Sequence, residues 1–242
     1  MHRLTDTALE EALMGDMPSG YLDAHSGKYP QLDALRGVTQ PPEHHMEGDA
    51  FVHTLMVVDE AAKRRSRVSD PLAFMLSAVC HDMGKAICTA VTDGKVHALR
   101  HELEGIPIAM EFLTLVGAGE DIREYVADMT KLHMKPNMMA KAHSSIKKTD
   151  HLFDDAAHPY DLIMLAVCDG MGKIPPSSDE EFLVSRYETY KQIMARPYVT
   201  RDDLIAAGVR EDRLDAAAEF AHKLRLAGID KDNTLRQTLS QY

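Results

Sequence analysis

Leu72-Ala-Phe-Met-Leu-Ser-Ala-Val-Cys-His81-Asp82-Met-Gly84-Lys85 is an apolar helical run that finishes on His-Asp. It has an echo further on, Leu162-Ile-Met-Leu-Ala-Val-Cys-Asp169-Gly170-Met-Gly172-Lys173. An Asp at a helix C-terminus faces the negative end of the helix dipole. Burying it there without a partner costs roughly several kcal/mol. A chain that does this twice has a cation waiting. With His53 upstream, the set reads as one metal site.

Outward from these two runs the chain reads as all-α. A helix capped by Thr5 or Asp6 is expected to run to about Met17, followed by a loop-rich stretch with Pro18, Pro30, Pro41 and Pro42. From Asp49 to about Lys63 a strong helix carries the apolar stripe Phe51, Val52, Leu55, Val58 and Ala62. It ends in Lys63-Arg64-Arg65, a solvated, dipole-matched helix end. Asp70-Pro71 starts the His81-Asp82 helix, with Pro at its first position, and Gly84 stops it. Thr92-Asp93-Gly94-Lys95, between β-prone residues, looks like a tight hairpin turn. Helices follow over about 102–116 and 120–133. A polar loop around Pro136 then leads to the Asp169 helix. After another helix to about Ala195, Arg196-Pro-Tyr-Val-Thr200 reads as a linker into a small helical tail.

Composition narrows the function classes. The 242 residues suit one globular domain with a small appendage. The net charge of −11 argues against a broad nucleic-acid footprint or an anionic membrane surface, so extended nucleic-acid binding is not expected. A local cluster of metal and lysine can still reverse the sign of a pocket for a small anionic substrate. The three cysteines, Cys80, Cys88 and Cys168, are odd in number and lie in apolar runs, which suits buried core residues rather than disulfides. No basic-then-apolar leader opens the chain, and no apolar run approaches the roughly 20 residues that span a bilayer. The expected setting is cytoplasmic, with no membrane partner.

The candidate ligands are His53, His81, Asp82, His101, His133 and Asp169. Imidazoles with carboxylates suit a divalent transition metal, Mn, Fe, Ni, Co or Zn, with Mg a further candidate. Adjacent ligands such as His81 and Asp82 can reach one ion, or Asp82 can bridge two; a pair of ions about 3.5–4 Å apart clamps the attacking and leaving oxygens of a phosphoryl group. His101 and His133 either complete a second metal site or contact substrate. Lys85 is read as holding a substrate phosphate beside the metal. Lys173 is read as neutralising its helix end. His45 leads into the motif through Glu47 and Asp49. His2, His25, His44, His97, His143, His151 and His158 are expected at the surface.

These residues resemble the signature of the HD superfamily of metal-dependent phosphohydrolases, His53…His81-Asp82…Asp169. Pro41-Pro-Glu-His-His45-Met-Glu47-Gly-Asp49-Ala-Phe-Val-His53 is similar to the opening of the HD domain in bacterial tRNA nucleotidyltransferases, the CCA-adding enzymes. His101-Glu-Leu-Glu-Gly105, Lys131-Leu-His133 and Ala166-Val-Cys-Asp169 resemble later blocks of that domain, and Val199-Thr-Arg-Asp-Asp203 its following helical segment. The nucleotidyltransferase half should carry a Gly-Gly motif and an Asp-x-Asp pair, and nothing of that kind precedes Pro41. The resemblance therefore implies an HD helical bundle over 1–197, with an N-terminal helical extension and a hairpin-like insertion, and a C-terminal module over 198–242. It implies phosphohydrolase activity, as phosphatase, nucleotidase or phosphodiesterase, on a nucleotide-like monoester or 2′,3′-cyclic diester, using one or two ions. Asp82 and Lys85 would be catalytic, with Lys85, His101 and His133 towards substrate. The alternative from another class is a non-catalytic module that binds a nucleotide or an RNA end.

Overall fold

The computed structural model describes residues 3–43 and 45–242; the expected surface residues His2 and His44 lie outside them. The elements run α1 (Thr7–Leu13), α2 (Pro18–His25), α3 (Pro30–Asp33), α4 (Ala50–Arg64), α5 (Pro71–Cys80), α6 (Lys85–Cys88), β1 (Thr89–Thr92), β2 (Lys95–Ala98), α7 (His101–Leu115), α8 (Glu120–Leu132), α9 (Met134–Lys141), α10 (Ile146–Asp155), α11 (Pro159–Met171), α12 (Glu180–Met194), α13 (Arg201–Ala206), α14 (Leu214–Leu226) and α15 (Lys231–Gln241). The described residues are all-α apart from one two-stranded hairpin.

Two compact units divide the chain: Met1–His143 with Ala156–Val184, and Ser144–Asp155 with Ser185–Tyr242. The expected boundary after residue 197 thus falls inside the second unit, which also takes in α10.

In the first unit α5 is the centre, buried from Leu72 through Cys80. It packs against α4, α8 and α11, and α7 packs on α8. A helix apolar on every side belongs inside a core, and α11 is the second such helix, buried from Asp161 through Cys168. Asp49 starts α4 by accepting the Val52 N–H at 2.9 Å, and Asp70 starts α5 by accepting that of Ala73 at 3.1 Å. On α4 the buried face is Phe51, His53, Thr54, Val57, Val58 and Ala61, whereas Val52 is exposed. The stripe is rotated from the expected one, and the rotation carries His53 into the interior. Helix α1 ends at Leu13, earlier than expected. Arg65 explains the stop, because its guanidinium donates to the carbonyl oxygens of Met14 and Gly15, both at 2.7 Å. The Lys63-Arg64-Arg65 run is therefore a staple as well as a helix end. Asp93 and Gly94 both take positive φ, as a two-residue hairpin turn requires.

The segment around Pro136 is helix α9 rather than a loop. Pro136 occupies the first turn, where a backbone N–H has no intrahelical partner to lose.

The second unit has its own core, Val199, Leu204, Val209, Leu214, Ala217 and Ala221, with Leu235 and Tyr242 against it. Thr200 and Asp203 form a reciprocal capping box at the start of α13.

Candidate metal centre

Four helix ends of the first unit deliver the candidate ligands to one place. His81 is the C-cap of α5 and Asp82 follows it in the turn before α6. His101 opens α7, His133 closes α8, and Asp169 sits in the last turn of α11. Two glycine contacts permit this convergence. At Gly84 a Cβ would stand 2.1 Å from the carbonyl oxygen of His101 and 2.8 Å from the nitrogen of Gly105. At Gly172 it would stand 2.7 Å from the nitrogen of Val57 on α4. The first close approach brings α7 onto the His81–Asp82 turn; the second brings the end of α11 onto α4 beside His53.

All six expected residues meet. His53 Nε2 is 3.1 Å from Asp169 Oδ1 and 3.7 Å from Asp82 Oδ2. Around Asp82 stand His81 Nε2 at 3.2 Å, His101 Nε2 at 3.1 Å and His133 Nε2 at 3.6 Å. All four histidines and Asp82 are buried.

The far nitrogen of each ring fixes the chemistry. Nδ1 of His81, His101 and His133 lies 2.9, 2.7 and 2.7 Å from the carbonyl oxygens of Ala78, Ala98 and Thr130, and His53 Nδ1 lies 3.1 Å from that of Gly172. A carbonyl only accepts, so each Nδ1 carries hydrogen, and a neutral ring then presents a lone pair at Nε2. With all four rings neutral, lone pairs would face carboxylate oxygens, and the Nε2 atoms of His101 and His133 would meet as two acceptors at 3.3 Å. His81 Nε2 is buried with no hydrogen-bond partner. Acceptors facing acceptors repel unless protons or a cation lie between them. Backbone carbonyls that orient the rings are the usual outer support of a metal site. The donor set fits a divalent ion: His53, His81 and Asp82 form one group, and Asp82, His101 and His133 another, with ligand atoms within 4.8 Å of one another in each.

The electrostatics say the same. Burial pushes both carboxyls up, yet both end far below the usual carboxylate range, Asp82 through Lys85 and its surrounding histidines, Asp169 through His53. Burial opposes charge on His53, but Asp169 and Glu47 raise it to about 9. His101 and His133 share Asp82 and diverge. For both rings burial works against charge, but Asp82 wins at His101 and raises it, whereas at His133 burial with the neighbouring His81 and His101 wins and lowers it. The Lys85 ammonium is 2.5 Å from Asp82 Oδ2 and donates to Gln40 Oε1 at 2.8 Å.

Two contributors went unassigned in the sequence. The Glu47 side chain is fully buried, with Oε1 2.6 Å from His45 Nδ1 and 3.2 Å from His53 Nδ1, and it accepts the Ile174 N–H at 2.8 Å. Burial raises its carboxyl, but these contacts bring it down to about 2. The His-x-Glu spacing just ahead of the α4 cap was the available signal. Asn137 donates to Asp169 Oδ2 at 3.2 Å and to the Ala166 carbonyl at 2.9 Å; it lies in the segment expected as a loop. Cys80 and Cys168 are buried core residues, and burial pushes the Cys168 thiol up to about 12. Of the remaining described histidines, His25, His97, His143 and His151 are exposed and His158 and His222 are half-buried.

Asp82, Asp169 and Lys85 line a cleft with Met134 and Met138, and Lys173 lies in it too. Lys173 thus faces the site as well as ending its helix.

No protein-family model matches the chain. Among curated proteins, the multifunctional CCA protein of Actinobacillus pleuropneumoniae is 33% identical over 113 residues, 47% of this chain and 27% of that protein. That of Halorhodospira halophila is 27% identical over 205 residues, 78% of this chain and 47% of the relative, and that of Alkalilimnicola ehrlichii 25% identical over 227 residues, 87% and 54%. Over most of its length the chain is similar to multifunctional CCA proteins, consistent with an HD-like domain. It matches about a quarter to a half of the length of those CCA proteins. Among the described residues, no helix is long and apolar enough to cross a membrane.

Proposed function

We propose that the chain is a metal-dependent phosphohydrolase that cleaves a nucleotide-like phosphoester, monoester or 2′,3′-cyclic diester, with activated water. The observation that carries this reading is the convergence of four imidazole Nε2 atoms on two carboxylates, the buried Asp82 and the half-buried Asp169, beside a lysine.

His53, His81, Asp82 and Asp169 would hold one ion, and His101 and His133 a second ion or the substrate. A bound divalent ion lowers the pKa of water and polarises a phosphoryl oxygen. Lys85 offsets the charge that grows on the phosphoryl oxygens, and its bond to Gln40 keeps it aimed at Asp82. In the hydrolysis a water oxygen bonds to phosphorus, the ester P–O bond breaks, and the leaving oxygen takes a proton. Kinship with the multifunctional CCA proteins favours a nucleotide or the end of an RNA over other phosphoesters. The net charge of −11 does not rule out an RNA end, since lysines line the cleft despite it.

The test is a metal-supplemented screen against nucleoside monophosphates, 2′,3′-cyclic nucleotides and dinucleoside polyphosphates, with the Asp82→Ala protein as blank. Hydrolysis that depends on metal and on Asp82 is expected. Metal uptake and nucleotide binding with no turnover of any substrate would replace the reading with that of a binding module.

A further inference from the structure

The cleft at the metal centre has two lobes. The inner lobe, about 230 Å³, is lined by Asp82, Asp169, Lys85, Met134 and Met138. The outer lobe, about 470 Å³, is walled by Pro175, Pro176 and Ser177, with Glu43 and Asp179. Four residues line both: His45, Asn137, Lys141 and Lys173. They form the waist between the lobes, and two of them are lysines.

Size decides that a ligand extends past the waist. Sites that enclose a small organic ligand measure roughly 300–1,000 Å³. The inner lobe alone falls short of that range, and the outer lobe lies within it.

Charge decides what crosses the waist. Lys85 is already engaged by Asp82. Among the described residues, Lys141 and Lys173 have no carboxylate at ion-pair distance, although acidic groups outnumber basic ones 38 to 27 in this chain. Two unpaired ammonium groups in a concave site draw an anion. The amide of Asn137 beside them is already committed to Asp169 and the Ala166 carbonyl, so the lysines are what the waist offers to a charged group. Beyond the waist, Glu43 and Asp179 would repel further phosphates, and they suit hydroxyl or amino donors instead.

We infer that Lys141 and Lys173 form a subsite for a second phosphate, so that the substrate carries one phosphate at the metal centre and another at the waist. This rests on the phosphohydrolase reading for the first phosphate only. A nucleoside bisphosphate and a dinucleotide with a terminal phosphate share the required chemistry. Met134 and Met138 give the sugar or base between the phosphates an apolar floor.

The experiment measures equilibrium binding to the full chain after chelation, so that nothing is turned over. The probes are adenosine 3′-phosphate, adenosine 3′,5′-bisphosphate and a diadenosine dinucleotide ending in a 3′-phosphate. Hydrogen bonds to charged groups are worth about tenfold or more in affinity. At least one two-phosphate probe is therefore expected to bind about tenfold tighter than the monophosphate. The preference is expected to vanish in the Lys141→Ala/Lys173→Ala double variant and to survive in Lys141→Arg/Lys173→Arg. Gain by the bisphosphate places the phosphates on one sugar; gain by the dinucleotide alone places them on successive sugars. Equal binding of all three probes, or a preference that persists in the double Ala variant, overturns the subsite. If the preference holds but no substrate is ever hydrolysed, the subsite stands and the hydrolytic reading falls. Hydrolysis without the preference does the reverse.

Discussion

Gly84 and Gly105 touch backbone to backbone: a Cβ on Gly105 would lie 2.9 Å from the Gly84 nitrogen, and one on Gly84 2.9 Å from the Gly105 Cα. Gly84 has ordinary helical torsions, φ −64° and ψ −20°, so conformational freedom does not explain it. Its task is close approach, which seats His101 beside Asp82.

Gly84→Ala therefore has to push the start of α7 away. Overpacking of this kind costs roughly 1–3 kcal/mol, and a displaced His101 weakens metal binding in addition. The expected outcome is a lower melting temperature together with a loss of metal affinity of about tenfold or more. Gly20, in α2 with open space where its Cβ would be, is the control. Gly20→Ala is expected to stabilise by about 0.5–1 kcal/mol and leave metal uptake unchanged. Metal titration of both variants checks the pair.

Asp82 is the carboxylate that four histidine rings and Lys85 share. Asp82→Ala is expected to abolish hydrolysis and bound metal while the helical circular-dichroism signal stays. A divalent ion that binds only the folded protein raises its stability by about 2.7 kcal/mol at a hundred times its dissociation constant. Wild-type protein should therefore melt higher with metal than with chelator, and the Asp82→Ala protein should show no such difference. An equal metal-induced rise in both proteins would place the ion elsewhere.

Much of this centre is legible in the sequence because its ligands sit at the ends of strongly patterned helices. His81-Asp82 ends α5, and Asp169 lies in the last turn of α11. What escapes is what periodicity does not encode. On α4 the polar Thr54 and His53 belong to the buried face, so a stripe read from apolar residues alone lands on exposed Val52. Helix α15 escapes for a related reason. Its buried positions are Thr234 and Thr238, one turn apart, and their hydroxyls donate to the backbone oxygens of Ile229 and Thr234. Glu47 looks like a loop acid until its burial against His45 and His53 is seen. The cationic waist escapes because it joins residues from three separate segments.

Asp6 supports the N-terminal extension through three donors: the Leu9 N–H at 3.3 Å, the Tyr29 hydroxyl at 2.9 Å and the Lys28 ammonium at 2.8 Å. Burial raises its carboxyl, but Lys28, Tyr29 and the Leu9 N–H outweigh burial and hold it below the ordinary 3.8. With the folded value depressed, the unfolded chain takes up protons first as pH falls. The contribution is therefore complete above 3.8 and lost as pH falls through the folded value. Asp6→Ala is expected to cost about 1 kcal/mol at neutral pH. Urea titrations of the two proteins should converge at pH values well below 3.8.

Asp150 in α10 has the opposite sign. It is buried, its Oδ1 has no hydrogen-bond partner, and burial raises its carboxyl although Arg186, His151, Arg225 and His222 pull the other way. With the folded value raised, the native state keeps a proton that the unfolded chain releases from 3.8 upwards. Stability then falls as pH rises from 3.8 through the folded value, and the loss is complete above it. Asp150→Asn keeps the shape and removes the titration. The variant is expected to melt above the wild type at pH 7, with the gain shrinking as the pH approaches 4. A lower melting temperature for the variant at pH 7 would mean that the ionised carboxylate is held by the two arginines, and that attraction rather than burial governs this position.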